Sequence, residues 1–250
     1  MSAAPQRSAA SDSLIPRLQE AVGAVEALLQ DAVVAIRKRV ATDSGDTMGR
    51  VFDREQRATH GLAWLATYVE ALRQLTGYAG RMLAEGKFGE IEDLQIRIGA
   101  GEYLAQILGG IPMSQGEMVR LSDVGLSRSD VAARLTPAVD HLIETGNTAA
   151  NRARLAELIN HHTEPTFGNS GVDETLEAIR EEMRKFAASE VVPYAQGWHL
   201  KNEYIPLEVI GQMSELGVFG LTLPEEFGGM GLGKESMCVV SEELSRGYIG

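Results

Sequence analysis

Apolar residues recur every three or four positions through most of the first 160 residues, a spacing that places them on one side of an α-helix. The first such run predicts a helix from about Leu14 to Val40, which ends at the breaker sequence TDSGD at residues 42–46. Its predicted buried side consists of Ile15, Leu18, Val22, Val25, Leu29, Ala32 and Ile36. Such a helix must pack against others, so we predict an all-α protein.

Four further helices are predicted in this region. One runs from near Arg50 to a stop at Gly86, one spans about residues 90–108, and one covers about residues 148–160. Between the last two of these, the apolar spacing of residues 131–142 predicts a helix that Pro137 breaks or bends at its start. We therefore expect a disordered tail at residues 1–13 and an antiparallel helical bundle over residues 14–160.

Residues 161–173 read HHTEPTFGNSGVD, without apolar periodicity, and the composition becomes more acidic after them. They predict a linker to a second helical domain at residues 174–250. In that domain we predict a helix that starts near Leu176 and ends at Val192-Pro193, because the residue before proline disfavours the α conformation. Further helices are predicted at residues 206–216, followed by Gly217 in a positive-φ position, and at residues 234–245.

Composition excludes several classes of protein. The formal charge of −12 opposes nucleic-acid binding, and the one dense basic run, Arg37-Lys38-Arg39, suits the end of a helix. Cys238 is the only cysteine, so no disulfide can form within the chain. No stretch approaches the roughly 20 apolar residues of a membrane span, and the first residues lack a secretory signal. These features favour a cytoplasmic protein with neither nucleic-acid nor membrane partners.

Several residue groups resemble functional sites, but each favours a structural interpretation. Gly228, Gly233 and Lys234 nearly match a phosphate-binding loop, yet Glu235 stands where a Ser or Thr is required. Gly229 and Gly231 likewise begin a dinucleotide pattern whose third glycine is replaced by Lys234. We instead predict that the glycines make a tight turn with positive φ.

The titratable groups are interpreted in the same way. Adjacent helical residues point about 100° apart, so Glu242 and Glu243 should form one exposed and one paired or capping acid. His161, His162 and Glu164 make a weak metal motif and are expected in a loop. The remaining candidates have a predicted packing role: His60 stacked with Trp64 in one helix, and Cys238, Met183, Phe186, Met213 and Phe219 in the core.

The sequence LGVFGLTLPEEFGGMGLGKESMCVVSEEL at residues 216–244 resembles the N-terminal helical domain of the acyl-CoA dehydrogenase family. The resemblance covers about residues 176–250, including WHLKNEYIP before this stretch and EELSR at its end. The resemblance is closest to family members that carry an N-terminal helical extension. Two segments support this, QRATHGLAWLATYVEALRQ and GEIEDLQIRIGAGEYLAQILGGIP. We therefore expect residues 174–250 to be this domain, in incomplete form.

The resemblance implies a flavoprotein oxidoreductase that removes an α-proton and a β-hydride from a short-chain acyl-CoA. It implies FAD as cofactor, electron-transferring flavoprotein as partner and a homo-oligomeric full protein. In that family the flavin and the catalytic base belong to a following β domain and helical bundle, so we assign no catalytic, cofactor-binding or metal-binding residue here and expect this fragment to be inactive. The alternative is a non-catalytic helical interaction module.

Overall fold

The computed structural model describes residues 9–41, 49–163 and 167–249, which fall into two compact units, Met1–Gly171 and Val172–Gly250. The division lies inside the segment 161–173 that the sequence predicts as a linker. The fold is all-α, as predicted, apart from one small hairpin. Glu164, Pro165 and Thr166 of the predicted linker and most of the predicted N-terminal tail lie outside the described residues.

The N-terminal unit is built on four helices that form a closed ring. In chain order its elements are α1 (Ala9–Val40), α2 (Gly49–Arg54), α3 (Gln56–Ala84), α4 (Glu90–Gly109), β1 (Ile111–Ser114), β2 (Glu117–Val119), α5 (Arg128–Arg134), α6 (Pro137–Thr145) and α7 (Ala149–Asn160). Helix α1 packs against α3 and α6, and α4 also packs against α3 and α6. Helix α5 lies on α1 and α7 on α4, so each covers one side of the ring.

The buried side of α1 is close to the predicted one. Leu18, Val25 and Ile36 are buried as expected, but Leu14 and Leu28 are fully buried where the half-buried Ile15 and Leu29 were expected. The helix begins at Ala9, five residues before the predicted start, with Pro16 inside it. The second predicted helix is divided at Glu55 into α2 and α3, and the fourth is divided at Pro137, which begins α6.

The hairpin β1–β2 was not predicted from the sequence. Gly110, with φ of 137°, turns the chain out of α4 into β1, and β1 pairs antiparallel with β2 so that Ile111 lies opposite Val119. Val119 packs on Gly61 of α3 so closely that a Cβ on this glycine would overlap its side chain. The hairpin thereby covers one end of the ring, where Ile111 and Val119 join the core.

The C-terminal unit contains α8 (Glu174–Phe186), a π-helical turn (Ala187–Val191), α9 (Val192–Lys201), α10 (Leu207–Glu215), 3₁₀ turns at Val218–Gly220 and Glu225–Phe227, and α11 (Lys234–Gly247). The prediction that Val192-Pro193 ends a helix was wrong, because the chain remains helical through the π-turn. That turn shifts the hydrogen-bond register so that Pro193 lies in the first turn of α9, where a missing N–H costs little. Gly217 has a φ of 78°, as predicted.

Two small apolar clusters form the core of this unit. Phe186, Val191, Ala195, Trp198 and Val209 make one, and Met183, Leu221 and Val240 make the other. Asp173 caps α8 by accepting a hydrogen bond from the backbone N–H of Leu176 at 2.9 Å. The part of the chain that the structure describes contains no helix that is long and apolar enough to cross a membrane.

Candidate functional site

The segment between α10 and α11, which we call the glycine loop (residues 216–233), is folded back on itself by backbone hydrogen bonds. The N–H groups of Met230, Gly231 and Leu232 donate to the carbonyls of Gly220, Leu223 and Leu221 at 2.8–2.9 Å. A Cβ on Gly229 would overlap the Leu223 carbonyl, so only glycine fits at this position. These contacts fix the shape of the loop.

Gly228 and Gly231 have φ values of 81° and 63°, which confirms the predicted positive-φ turn. The N–H groups of Gly228 and Gly229 donate to the carbonyls of Glu225 and Pro224 at 2.9 and 3.2 Å, and that of Gly231 is bonded to Leu223. A phosphate-binding loop requires such N–H groups to point at the ligand. The N–H groups of Gly228, Gly229 and Gly231 are instead bonded within the glycine loop itself.

Large apolar side chains are exposed on the glycine loop. Phe227 is 74% exposed, Phe219 58%, Leu223 49% and Met230 44%. The prediction that Phe219 belongs to the core was wrong: it lies in a 3₁₀ turn, where helical spacing does not apply, and Leu221 enters the core instead. Met183 and Phe186 are buried as predicted, and Met213 packs partly buried against the first cluster. Several large apolar side chains exposed on one loop are typical of a protein–protein contact surface.

Below the loop, the carboxylate of Glu243 on α11 is fully buried and surrounded by arginines. Arg184 of α8 donates to both of its oxygens, at 2.8 and 3.0 Å, and Arg246 Nε lies 3.2 Å from Oε2. Arg180, itself buried, donates to Glu243 Oε1 at 3.4 Å and to Glu242 Oε2 at 2.7 Å. Glu242 is about half exposed and Glu243 is paired, as predicted, but Glu242 is also paired through Arg180.

The electrostatics of this cluster follow from its geometry. Burial raises the pKa of Glu243, but the hydrogen bonds from Arg184 and the charges of Arg184, Arg246 and Arg180 outweigh burial and lower the pKa below its usual range. The same hydrogen bonds raise the pKa of Arg184. Glu243 is thus an ionised carboxylate that joins α8 to α11. The burial of Arg180 with Glu243 was not predicted, because it depends on the packing of two helices about 60 residues apart in the sequence.

The other candidate residues are dispersed. Cys238 is exposed, so its predicted core position was wrong; α11 turns Val239 and Val240 inward instead. Trp64 Nε1 donates to His60 Nε2 at 3.1 Å, and the two rings lie 6.3 Å apart and tilted. His162 packs against Phe167, while Glu164 lies outside the described residues. Within the described ranges, no group of three or more His, Cys, Asp or Glu side chains could hold a metal ion.

Comparison with known proteins identifies the C-terminal unit. Residues 173–250 match the family described as "Acyl-CoA dehydrogenase, N-terminal domain". This match confirms the resemblance seen in the sequence: residues 173–250 are similar to the N-terminal domain of acyl-CoA dehydrogenases.

The similarity to one relative extends through the N-terminal bundle as well. The chain is 52% identical over 238 residues to the (2S)-methylsuccinyl-CoA dehydrogenase of Cereibacter sphaeroides. The aligned residues make up 95% of this chain and 42% of that relative. It is 38% identical over 74 residues to the glutaryl-CoA dehydrogenase of Desulfococcus multivorans, 29% of this chain and 19% of the relative. It is 40% identical over 76 residues to the mitochondrial isovaleryl-CoA dehydrogenase of Oryza sativa subsp. japonica, 30% and 18% respectively. The chain thus spans less than half the length of these relatives.

Proposed function

We propose that this chain is the N-terminal part of a flavin-dependent acyl-CoA dehydrogenase that oxidises a short-chain acyl-CoA, with (2S)-methylsuccinyl-CoA as the substrate. The observation that carries the proposal is the 52% identity over 238 residues, which includes the helical extension as well as the family domain. The glutaryl-CoA and isovaleryl-CoA dehydrogenases match over only 74 and 76 residues. The extension therefore favours the methylsuccinyl-CoA enzyme among these relatives.

The role proposed for residues 1–250 is structural. Because the N–H groups of Gly228, Gly229 and Gly231 are bonded to carbonyls of the same loop, we place the FAD site and the catalytic base in the remainder of the protein and assign no chemical step to this part. The exposed Phe219, Leu223 and Phe227 give the C-terminal unit a surface for packing against that remainder. We further propose a cytoplasmic homo-oligomer of the ethylmalonyl-CoA pathway that passes electrons to an electron-transferring flavoprotein.

The test compares residues 1–250 with the product of the complete reading frame. We expect the complete protein to carry flavin and to reduce an artificial electron acceptor when (2S)-methylsuccinyl-CoA is added. We expect residues 1–250 alone to show no flavin absorbance and no activity. Glutaryl-CoA and isovaleryl-CoA serve as control substrates.

Each outcome bears on a separate part of the proposal. Stoichiometric flavin bound to residues 1–250 would refute the placement of the cofactor site. Activity with a control substrate but not with methylsuccinyl-CoA would refute the substrate alone. A complete product without flavin would refute the enzyme and favour a helical interaction module.

A further inference from the structure

Residues 167–171, which precede the C-terminal unit, lie on the N-terminal bundle and are bonded to it through Asn169. The backbone N–H of Asn169 donates to Glu92 Oε1 at 2.8 Å, and its side-chain Nδ2 donates to the same oxygen at 2.9 Å and to the Lys87 carbonyl at 3.0 Å. The hydroxyl of Tyr78 donates to the Asn169 carbonyl. One residue thus makes four hydrogen bonds to α3, α4 and the turn between them.

The acceptor, Glu92, is a buried carboxylate with 3% of its surface exposed. Its second oxygen accepts a hydrogen bond from the backbone N–H of Gly89 at 2.9 Å, at the start of α4, where the helix dipole favours a negative charge. Among the described residues, no Lys or Arg forms an ion pair with Glu92. Asn169 therefore supplies two of the three N–H donors that hold this charge, and losing them would leave a buried carboxylate poorly solvated.

The backbone of this segment is shaped for close contact. Gly168 and Gly171 have φ values of 77° and 69°, and a Cβ on Gly171 would lie 3.0 Å from the ring of Tyr78. Burial, followed by the charge of Glu92, raises the pKa of Tyr78 to about 12. The Tyr78 hydroxyl consequently keeps its proton at neutral pH and remains a donor to Asn169.

We propose that residues 167–171 form a strap that Asn169 and Glu92 latch onto the N-terminal bundle, and that opening this latch lengthens the connection between the two units. While the latch is closed, two residues, Val172 and the cap Asp173, separate the strap from the start of α8 at Glu174. Release of its five residues extends that connection by as much as ~17 Å, at ~3.4 Å per extended residue. Because Asn169 makes all four of these hydrogen bonds, we expect them to break together.

The experiment is hydrogen–deuterium exchange of the full 250-residue chain, read by mass spectrometry on peptides covering residues 167–171. Asn169→Asp removes the Nδ2 donor and places a second carboxylate against Glu92. We expect exchange in the strap to be about tenfold faster, the factor that corresponds to ~1.4 kcal/mol. The control is Asn160→Asp, which adds the same charge at an exposed position of α7 and should leave the strap unchanged.

A milder variant, Tyr78→Phe, removes only the hydroxyl that bonds to Asn169, and it should accelerate exchange in the strap without affecting α3 or α4. Cleavage by chymotrypsin after Phe167 should rise in both variants. Wild-type exchange as fast as that of an unstructured peptide, or exchange in the strap unaltered by Asn169→Asp, would overturn the latch. If Asn169→Asp also accelerates exchange in α3, and so unfolds the bundle, Tyr78→Phe decides the question: unaltered exchange in that variant overturns the latch, and faster exchange supports it.

Discussion

Glu243 illustrates how a carboxylate can lie inside a small apolar domain. Its side chain is fully buried, and the three arginines around it, Arg180, Arg184 and Arg246, come from two different helices. A buried pair of this kind need not stabilise a fold relative to apolar residues, but removing one partner leaves the other charges uncompensated. The contribution of Glu243 should therefore be visible mainly when it alone is removed.

We predict that Glu243→Ala lowers the free energy of unfolding of the C-terminal unit by ~3–5 kcal/mol, because Arg180 and Arg184 stay in place without their buried partner. The matched control is Glu182→Ala on α8, whose ion pair with Lys185 is exposed on both sides. Exposed ion pairs contribute about 1 kcal/mol or less, so the control should change little. Urea denaturation followed by circular dichroism measures both variants, and equal losses would contradict the proposed role of burial.

The same residue predicts an acid dependence of stability. The folded-state pKa of Glu243 lies below its ordinary value of 4.5, so its stabilising contribution is complete above pH 4.5 and disappears as the pH falls through the lowered pKa. Glu243→Gln removes this titration and should flatten the loss of stability of the C-terminal unit as the pH falls below 4.5. Denaturation at a series of pH values tests this.

At the level of elements, the ring of the N-terminal unit closes where α4 and the end of α6 approach each other. A Cβ on Gly101 of α4 would lie 2.7 Å from the Leu142 carbonyl and 2.9 Å from the N–H of Asn147. A Cβ on Gly146 would overlap the carbonyl of Arg97 in α4. Backbone meets backbone at this crossing, and neither side has a flexible side chain that could move away.

We predict that Gly101→Ala destabilises the N-terminal unit by about 1–3 kcal/mol, the usual cost of adding a methyl group to a packed contact. Gly99→Ala is the control, since a Cβ there would meet only the end of the Leu75 side chain at 3.4 Å. In that position alanine should be neutral or stabilising, because it is a better helix former than glycine. Thermal unfolding of the two variants distinguishes the outcomes, and equal melting temperatures would show that the crossing tolerates a side chain.

The helices were the part of the fold that sequence reasoning predicted well, because the spacing of residues such as Leu18, Val25 and Ile36 is a local signal. The hairpin was missed because Ile111 and Val119 pair across a turn and depend on Gly61 of a distant helix. The π-turn before Pro193 was missed because a proline read in isolation ends a helix. Both depend on tertiary contacts that no periodicity shows.

The site was predicted to a similar extent. The positive φ of Gly228 and Gly231 and the division of Glu242 and Glu243 into exposed and paired acids were confirmed. Phe219 and Cys238 were placed in the core, and both are exposed. Hydrophobicity identified the residue types correctly, but which side of a short helix or turn faces the core depends on its neighbours.

At the level of the whole chain, each unit has its own core. The large core is confined to residues 14–143, and the two smaller clusters to residues within 179–248. We predict that the 250-residue chain unfolds in two transitions in differential scanning calorimetry. Gly101→Ala should lower only the transition of the N-terminal unit and Glu243→Ala only that of the C-terminal unit. A single transition moved by both variants would show that the units unfold together.

The closed ring also affects the order in which the chain folds during synthesis. Arg17 of α1 bonds to His141 of α6 at 2.6 Å, across a sequence separation of 124 residues. The side of α1 that faces α6 therefore stays uncovered while about 100 further residues are made, roughly 5–20 s at ~5–20 residues per second. During that interval α3, the first long partner of α1 to be synthesised, is the element that protects its apolar surface. Slow translation between α4 and α6 should consequently expose nascent chains to chaperones more than slow translation after α6.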